Sequence, residues 1–519
     1  MNNSSPKSDF RTELSNQWVL LLIVGIVLVL NFSFTLRGPQ PTWADEAFTL
    51  RLAATDSWTE FWHEIKLDVH PPLYFALAKI VSDDAGESRE YLKYSPPGPR
   101  ALAYIIYFSL IWFTLALWKK RVSNIYEFLM PALLLVGSAH LSLFGPMMRY
   151  YCISGLFVTV AALYLLPETE GLDQEKTRGW LPPHIKYSIF LLLAFAANYL
   201  TIVIIPAHIR ILTGRKKEDS GPYLKSMGGA LVLAIPLLAL GAYQTVRNIG
   251  SVPDMINLTA GFIARIIYSV YSFSMGEFIQ PWMWIASIPA SISMLVLFYA
   301  VWTWRKTAAS SLLFHIFAVS LLLGAFIVSS LGIGLEFSPS RLFFLCPLFL
   351  ILLGYSASRS ITQNNGKYIT IIALSILILS NIVSSYNYSK RQGFIQSTYI
   401  IPWQQIADDI GVLESPGQLI NFSSPTVEHY ISVGPDYFQS SSIDPISTKF
   451  PVYVILLPQT FTNTFFKTYI STIEEEYELD RELKYVEEDV TSLRFKSMLL
   501  RRQVEPVKMV LQIYTPADR

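Results

Sequence analysis

Residues 185–213 read IKYSIFLLLAFAANYLTIVIIPAHIRILT, and the number of times this stretch crosses a lipid bilayer decides the topology of the chain. A helix rises about 1.5 Å per residue, so one span of roughly 30 Å needs about 20 apolar residues. This run is longer than that and is interrupted by Asn198-Tyr199. It is either one tilted helix or two short helices folded into a hairpin. The flanking charges discriminate. Arg215, Lys216 and Lys217 follow directly, and short loops rich in Lys and Arg stay on the cytoplasmic side of a membrane.

Comparable apolar runs lie at 17–36, 101–118, 124–144, 147–166, 223–243, 282–303, 310–331, 340–357 and 368–385. With Lys7 and Arg11 in the cytoplasm, alternation puts 37–100 outside, Lys119-Lys120-Arg121 inside, and the 167–184 loop with Lys176 and Arg178 inside. A single span at 185–213 would send Arg215 to Lys217 outside. The hairpin keeps them inside and returns Arg305-Lys306 and the 358–367 loop to the same side. The sequence therefore predicts eleven membrane helices, two of them short, with the amino terminus cytoplasmic and the carboxyl terminus extracytoplasmic.

Composition agrees. Of 519 residues, 52% are hydrophobic and 15% charged, too apolar a balance for a soluble enzyme of this length. A formal net charge of +1 gives no sign of nucleic-acid binding. Cys152 and Cys346 both fall in apolar runs, where a thiol behaves as a small hydrophobe, so neither a disulfide framework nor a cysteine metal site is expected. The first apolar run lacks a small-residue cleavage pattern and is expected to stay as an anchor. Past residue 390 the long apolar runs stop. Gln418–Ser423, Val452–Leu457 and Met509–Tyr514 read as short strands between polar or helical stretches such as Trp403–Leu413 and Thr464–Leu479. The expected organisation is a polytopic α-helical membrane domain over 1–390 and a small extracytoplasmic α/β domain over 391–519.

Ionisable groups collect on the face this topology calls outer. The first loop carries Trp43-Ala44-Asp45-Glu46-Ala47-Phe48 and then Asp68-Val69-His70-Pro71-Pro72-Leu73-Tyr74, and Arg100 enters the second span. Arg149 opens the 147–166 span, and Glu336 and Arg341 flank the start of 340–357. Such groups beside hydrocarbon are candidate functional residues. Each also has a structural reading. Asp45 fits the third position of a helix capped by Thr42; Asp68 or His70 fits a cap on a helix opened by the proline pair; Arg149 and Arg341 fit snorkelling to headgroups. The functional reading is a carboxylate raised towards the pKa of a general base between Trp43 and Phe48, an imidazolium at a helix entrance holding a phosphate, and two arginine forks matched to phosphate geometry. Asn198 and Tyr199 read as turn residues.

In these elements the chain resembles the membrane-embedded GT-C glycosyltransferases, in particular the group of protein O-mannosyltransferases and lipid A aminoarabinose transferases. The matching pieces are Trp43-x-Asp45-Glu46-Ala47, Asp68-x-His70-Pro71-Pro72-Leu73-Tyr74, Arg100, Met148-Arg149-Tyr150, and Arg341 ahead of Pro347, in order over most of residues 10–390. The resemblance implies an inverting transferase that uses a polyprenyl-phosphate sugar donor and a hydroxyl acceptor at the extracytoplasmic face. By match Asp45 is the base and His70 stands where relatives carry a basic residue at the donor phosphate; with His70, one or more of Arg149 and Arg341 is expected to stabilise the charge on the departing lipid phosphate. Some relatives have Glu-Lys at the Val69-His70 positions, so this chain departs there. Glu46 joins the catalytic pair, and Asp68 and Arg100 support it. A divalent metal would be held through Asp68 or Glu46, although the spacing is not that of a dedicated cage. A transporter or flippase of a lipid-linked saccharide is the rival, and it needs ionisable or broken-helix sites near the bilayer midplane.

Overall fold

The computed structural model describes residues 18–37, 44–67, 69–84, 97–122, 124–166, 180–248, 255–331, 338–364 and 366–390, then shorter stretches at 405–406, 409, 418–421, 438–439, 452–456, 470–471, 473–475, 477–487, 494–495, 497 and 507–516. The chain forms two compact units: residues 1–38, 56–77 and 100–393 make one, and 39–55, 78–99 and 394–519 the other.

The helices run α1 (Trp18–Arg37), α2 (Ala44–Ala53), α3 (Trp58–Leu67), α4 (Leu73–Asp84), α5 (Pro97–Lys119), α6 (Ile125–Gly137), α7 (Ala139–Phe144), α8 (Tyr151–Leu165) and α9 (Pro183–Ala197). After a 3-10 turn at Tyr199–Ile204 come α10 (Ile205–Thr213), α11 (Lys217–Asn248), α12 (Met255–Met275), α13 (Trp284–Trp304) and α14 (Ala308–Ser330). The series closes with α15 (Ser338–Arg341), a 3-10 turn at Phe343–Leu345, α16 (Cys346–Thr362) and α17 (Lys367–Ser389). Seven of the described helical segments are long and apolar enough to cross a bilayer, and the shorter α6, α8, α9 and Tyr199–Thr213 occupy the other expected positions. This is a multi-pass membrane protein.

The decisive stretch is a hairpin. α9 stops at Asn198, whose N–H still bonds Ala194 O at 2.9 Å while its Oδ1 accepts from Leu200 N at 3.0 Å. The Tyr187 hydroxyl lies 3.0 Å from His208 Nδ1, so α9 and α10 run antiparallel. Tyr187 packs on Tyr223, which donates to Tyr164 O at 3.2 Å, and Arg215 donates to Leu165 O. Both feet of the hairpin therefore stand where α8 ends and α11 begins, as the charges required.

Other expectations change in detail. The 124–144 run is broken at Ser138, which caps α7 by accepting from Leu141 N at 3.2 Å. Helix α12 falls in the segment 244–281 that the sequence left as a connection, because Arg265 and scattered Ser, Thr and Asn residues dilute its apolar run. Helix α16 is buried around its whole circumference, the mark of a core helix. It approaches α6 closely at Gly354, where an added Cβ would sit 2.5 Å from Pro131 N.

Buried polar side chains fasten the breaks. Asn31 on α1 donates to Val136 O at 2.9 Å and Ser142 Oγ at 2.6 Å, and accepts from Ser385 on α17. Asn381 accepts from Ala139 N at 2.8 Å and donates to Ser274 O at 2.7 Å. Ser272 Oγ lies 2.8 Å from His140 Nδ1 and donates to Glu277 Oε1 at 3.0 Å, in the loop after α12.

The second unit holds a five-stranded sheet of order β2-β1-β3-β5-β4, built from β1 (Gln418–Asn421), β2 (Phe438–Gln439), β3 (Val452–Leu456), β4 (Tyr477–Glu487) and β5 (Val507–Pro516). β1 pairs in parallel with β2 and β3, whereas β5 is antiparallel to β3 and β4. Val452, Val454, Ile473, Tyr477, Val510 and Tyr514 form its core. The expected helix over Thr464–Leu479 is overturned at its end, since Tyr477 to Leu479 begin β4. Here Tyr477 and Tyr485 are buried and the intervening charges face solvent, a pattern that suits a solvated edge strand.

Two consequences for stability follow. Gly354→Ala pushes a methyl into Pro131 backbone that cannot swing aside, and is expected to cost about 1–3 kcal/mol, read as a lowered thermal midpoint in detergent. Burial raises the Glu277 carboxyl from 4.5 to about 8, with Ser272 and Tyr268 pulling it partly back. The folded protein holds this proton across that window and the unfolded chain does not, so the contribution is full below 4.5 and is lost as pH rises through about 8. Glu277→Gln should flatten the fall in thermal midpoint between about pH 5 and about pH 8; an unchanged slope would mean that the carboxyl ionises freely in the folded state.

Candidate functional site

The histidine of the first loop is placed by the elements around it. α3 is pinned by Gln244 of α11, whose Nε2 donates to Ile65 O at 2.6 Å. Three residues past α3 the chain reaches His70, and Pro71-Pro72 then open α4, with Ala76 N bonding Pro72 O at 2.9 Å. Prolines are tolerated at this point because first-turn N–H groups have no helical partner. His70 is buried against Phe75 and Tyr150, with ring centroids 6.2 Å and 5.2 Å away.

Arg149 occupies the irregular turn between α7 and α8, where its N–H bonds Met147 O at 2.7 Å. Its side chain is buried, its guanidinium lies 5.5 Å from the rings of both Phe75 and Tyr150, and its Nη2 is 3.0 Å from His70 Nε2. Arg341, the last residue of α15, brings Nη1 to 3.0 Å from the same His70 Nε2 and donates to Tyr150 Oη at 2.6 Å. Arg100 stands behind this group: its Nη1 donates to Pro146 O at 3.3 Å and so steadies the turn that carries Arg149. His70, Arg149, Arg341 and Arg100 all belong to the first compact unit.

The hydrogen-bond geometry bears on the part His70 can play. A guanidinium has only N–H donors, so the nitrogen that two of them share must accept, which puts the ring proton on Nδ1. In this geometry His70 Nε2 lies between the two arginine forks, each 3.0 Å away, and both guanidinium groups bring a positive charge to it. Tyr150 is the residue sequence reasoning passed over. It stood in the quoted Met148-Arg149-Tyr150 element but was given no task, and the signal was an aromatic hydroxyl directly beside the arginine at a helix break. A cluster of this kind can bind and orient an oxyanion, phosphate above all.

The acidic half of the constellation is placed differently. Asp45 and Glu46 begin α2, in the second compact unit, and Glu46 is buried. The side chain of Asp45 and all of Asp68 and Glu336 lie outside the described residues. Among the described residues no three of His, Cys, Asp and Glu gather around a common point.

No family model matches the sequence, and no curated protein does. Solved structures match it in fold. The crystal structure of ArnT from Cupriavidus metallidurans bound to undecaprenyl phosphate is 11% identical, with a TM-score of 0.52 over 96% of this chain and 98% of that one. The apo structure of the same protein gives a TM-score of 0.53 at 11% identity, with the same coverage. An identity this low speaks to architecture alone. The chain has the fold of these ArnT structures, over nearly its whole length.

Proposed function

We propose that this protein is an integral membrane glycosyltransferase that moves a hexosyl or pentosyl group from a polyprenyl-phosphate donor to an acceptor hydroxyl at the extracytoplasmic face. The observation that carries the reading is the convergence of Arg149 and Arg341 on His70, in a fold shared with a protein crystallised with undecaprenyl phosphate. The alternation of basic loops supports an amino terminus in the cytoplasm and a carboxyl-terminal domain outside.

In this mechanism the acceptor oxygen attacks the anomeric carbon from the face opposite the phosphate, and Asp45 takes the hydroxyl proton as the new C–O bond forms. The anomeric C–O bond to phosphate breaks with inversion, and its electrons leave with the lipid phosphate. Charge grows on that leaving group, where the two guanidinium groups stabilise it. His70 and Tyr150 keep both forks aimed, Arg100 holds the turn beneath Arg149, and Glu46 and Asp68 support the base. Transport of a lipid-linked saccharide is the weaker reading, since the cationic group sits at helix ends and breaks and not midway along the long spans.

Asp45→Asn in purified, lipid-reconstituted protein should lower turnover from a polyprenyl-phosphate sugar by about 100-fold or more while the protein still inserts; unchanged turnover would remove Asp45 from the role of base. Arg149→Gln and Arg341→Gln should each raise KM for the donor by roughly 10-fold or more, the weight of a charge-assisted hydrogen bond. At position 70 the acceptor role makes a further demand. His70→Gln keeps a neutral acceptor and should retain more donor affinity than His70→Lys, which turns a third cation towards the two arginines. The opposite ranking would restore the cationic role for His70.

A further inference from the structure

A second cationic site lies at the opposite end of the helical unit. Gly324 of α14 packs against Leu342, next to Arg341, which marks the end occupied by the His70 cluster. The first turn of α14 lies roughly 24 Å away along its axis, at about 1.5 Å per residue. There Ala308, Ser311, Leu312 and His315 join Arg210, Arg215, Asp219, Tyr223 and Lys306 around a cavity of about 710 Å³.

Basic residues are expected at this end simply from the positive-inside bias, so the informative question is what each one does. Arg121 caps Leu163 O and Leu117 O, both at 2.6 Å. Arg359 pairs with Glu127 at 2.9 Å, and Arg305 folds over Trp302 and caps its carbonyl. Arg215 is half-buried and donates to Leu165 O. Arg210 and Lys306 differ: among the described residues neither side chain makes a hydrogen bond or ion pair, and both line the cavity. His315 donates Nδ1–H to Ser311 O at 2.6 Å, which leaves Nε2 available. Asp219 is the sole carboxylate of the lining, against three permanent cations. Partial burial lowers the Arg215 proton affinity, and Tyr223 and Asp219 partly restore it.

We propose that this cavity is an anion site that takes the phosphate of a negatively charged membrane-lipid headgroup, with Arg210 and Lys306 as its principal contacts and Arg215 as the wall behind them. The volume is in the range of small-molecule pockets and far exceeds what bare phosphate fills. Ile211, Leu212 and Ala308 in the lining give the first methylenes of the acyl chains an apolar surface. The site rests on the membrane setting and owes nothing to the donor chemistry at the other end.

The test is lipid retention by the full chain. Detergent-purified protein is exchanged into mixed micelles holding short-chain phosphatidylglycerol and phosphatidylcholine, and retained lipid is counted by native mass spectrometry alongside the thermal midpoint. Phosphatidylglycerol should be kept over phosphatidylcholine and should raise the midpoint. Arg210→Gln combined with Lys306→Gln should weaken that retention by about 10-fold or more, and Lys225→Gln, at an exposed lysine outside the cavity, should not. If the double variant does not accumulate, Lys306→Gln alone repeats the measurement at an exposed side chain. Inorganic phosphate is the second arm: if it raises the midpoint and displaces the lipid at equal concentration, the lipid source is overturned in favour of free phosphate in the same site. Equal retention of the two lipids, or of phosphatidylglycerol by wild type and double variant, overturns the site. Donor turnover is measured on the same samples, so a transfer-active protein without lipid selectivity sinks this inference alone.

Discussion

Hydrocarbon offers no hydrogen bonds, and every break in a helix that lies at membrane depth must find its partners inside the protein. The helical unit is organised around that constraint. The break at Ser138 is met by Asn31, Asn381 and the Ser138 hydroxyl itself, and the break at Asn198 by its own side-chain oxygen. Such polar groups act as fasteners between helices. Because the breaks are satisfied, the chain can hold turns and one-turn helices between its long ones, and Arg149 projects from such a turn and Arg341 from the end of the one-turn helix α15. Regular helices would have pointed these arginines along their flanks.

The shared acceptor at His70 Nε2 imposes a second order on the cluster. Cations repel, and two guanidinium groups do not approach one another without something between them. An imidazole lone pair flanked by Phe75 and Tyr150 supplies that intermediary: the rings offer their faces to the charges while Nε2 and the Tyr150 hydroxyl fix the direction of the forks. Three segments separated widely in sequence, the first loop, the turn before α8 and the entry to α16, are thereby locked to one another. Their arrangement fixes the direction of two positive charges in advance of any ligand.

Much of the helical architecture is legible in the sequence. The hairpin could be read because charge alternation has only two solutions and one of them violates the positive-inside bias at Arg215 to Lys217. The helix opened by Pro71-Pro72 could be read because proline chemistry is local. What sequence did not disclose was long-range or diluted. Nothing in the order of residues says that positions 149 and 341 meet on one nitrogen, because pairings across α-helical connections leave no periodic trace. Helix α12 was hidden by Arg265 and its hydroxyl-bearing residues, which are tolerated because α12 faces other helices. Strand β4 was hidden by its charges, which sit on the solvated side of a sheet edge.

The hairpin has one further physical consequence. Helix α9 has 15 residues, and at about 1.5 Å per residue it reaches only about 22 Å, against roughly 30 Å of hydrocarbon in an ordinary bilayer. Ile189 on it is exposed, and Ile185, Phe190 and Leu192 are half-buried. Lipids along that face must shorten to match it, at a cost of fractions of a kcal/mol per Å. A bilayer matched to α9 is thinner beside the hairpin than beside spans such as Ala308–Ser330, and the two aqueous phases stand closer together there.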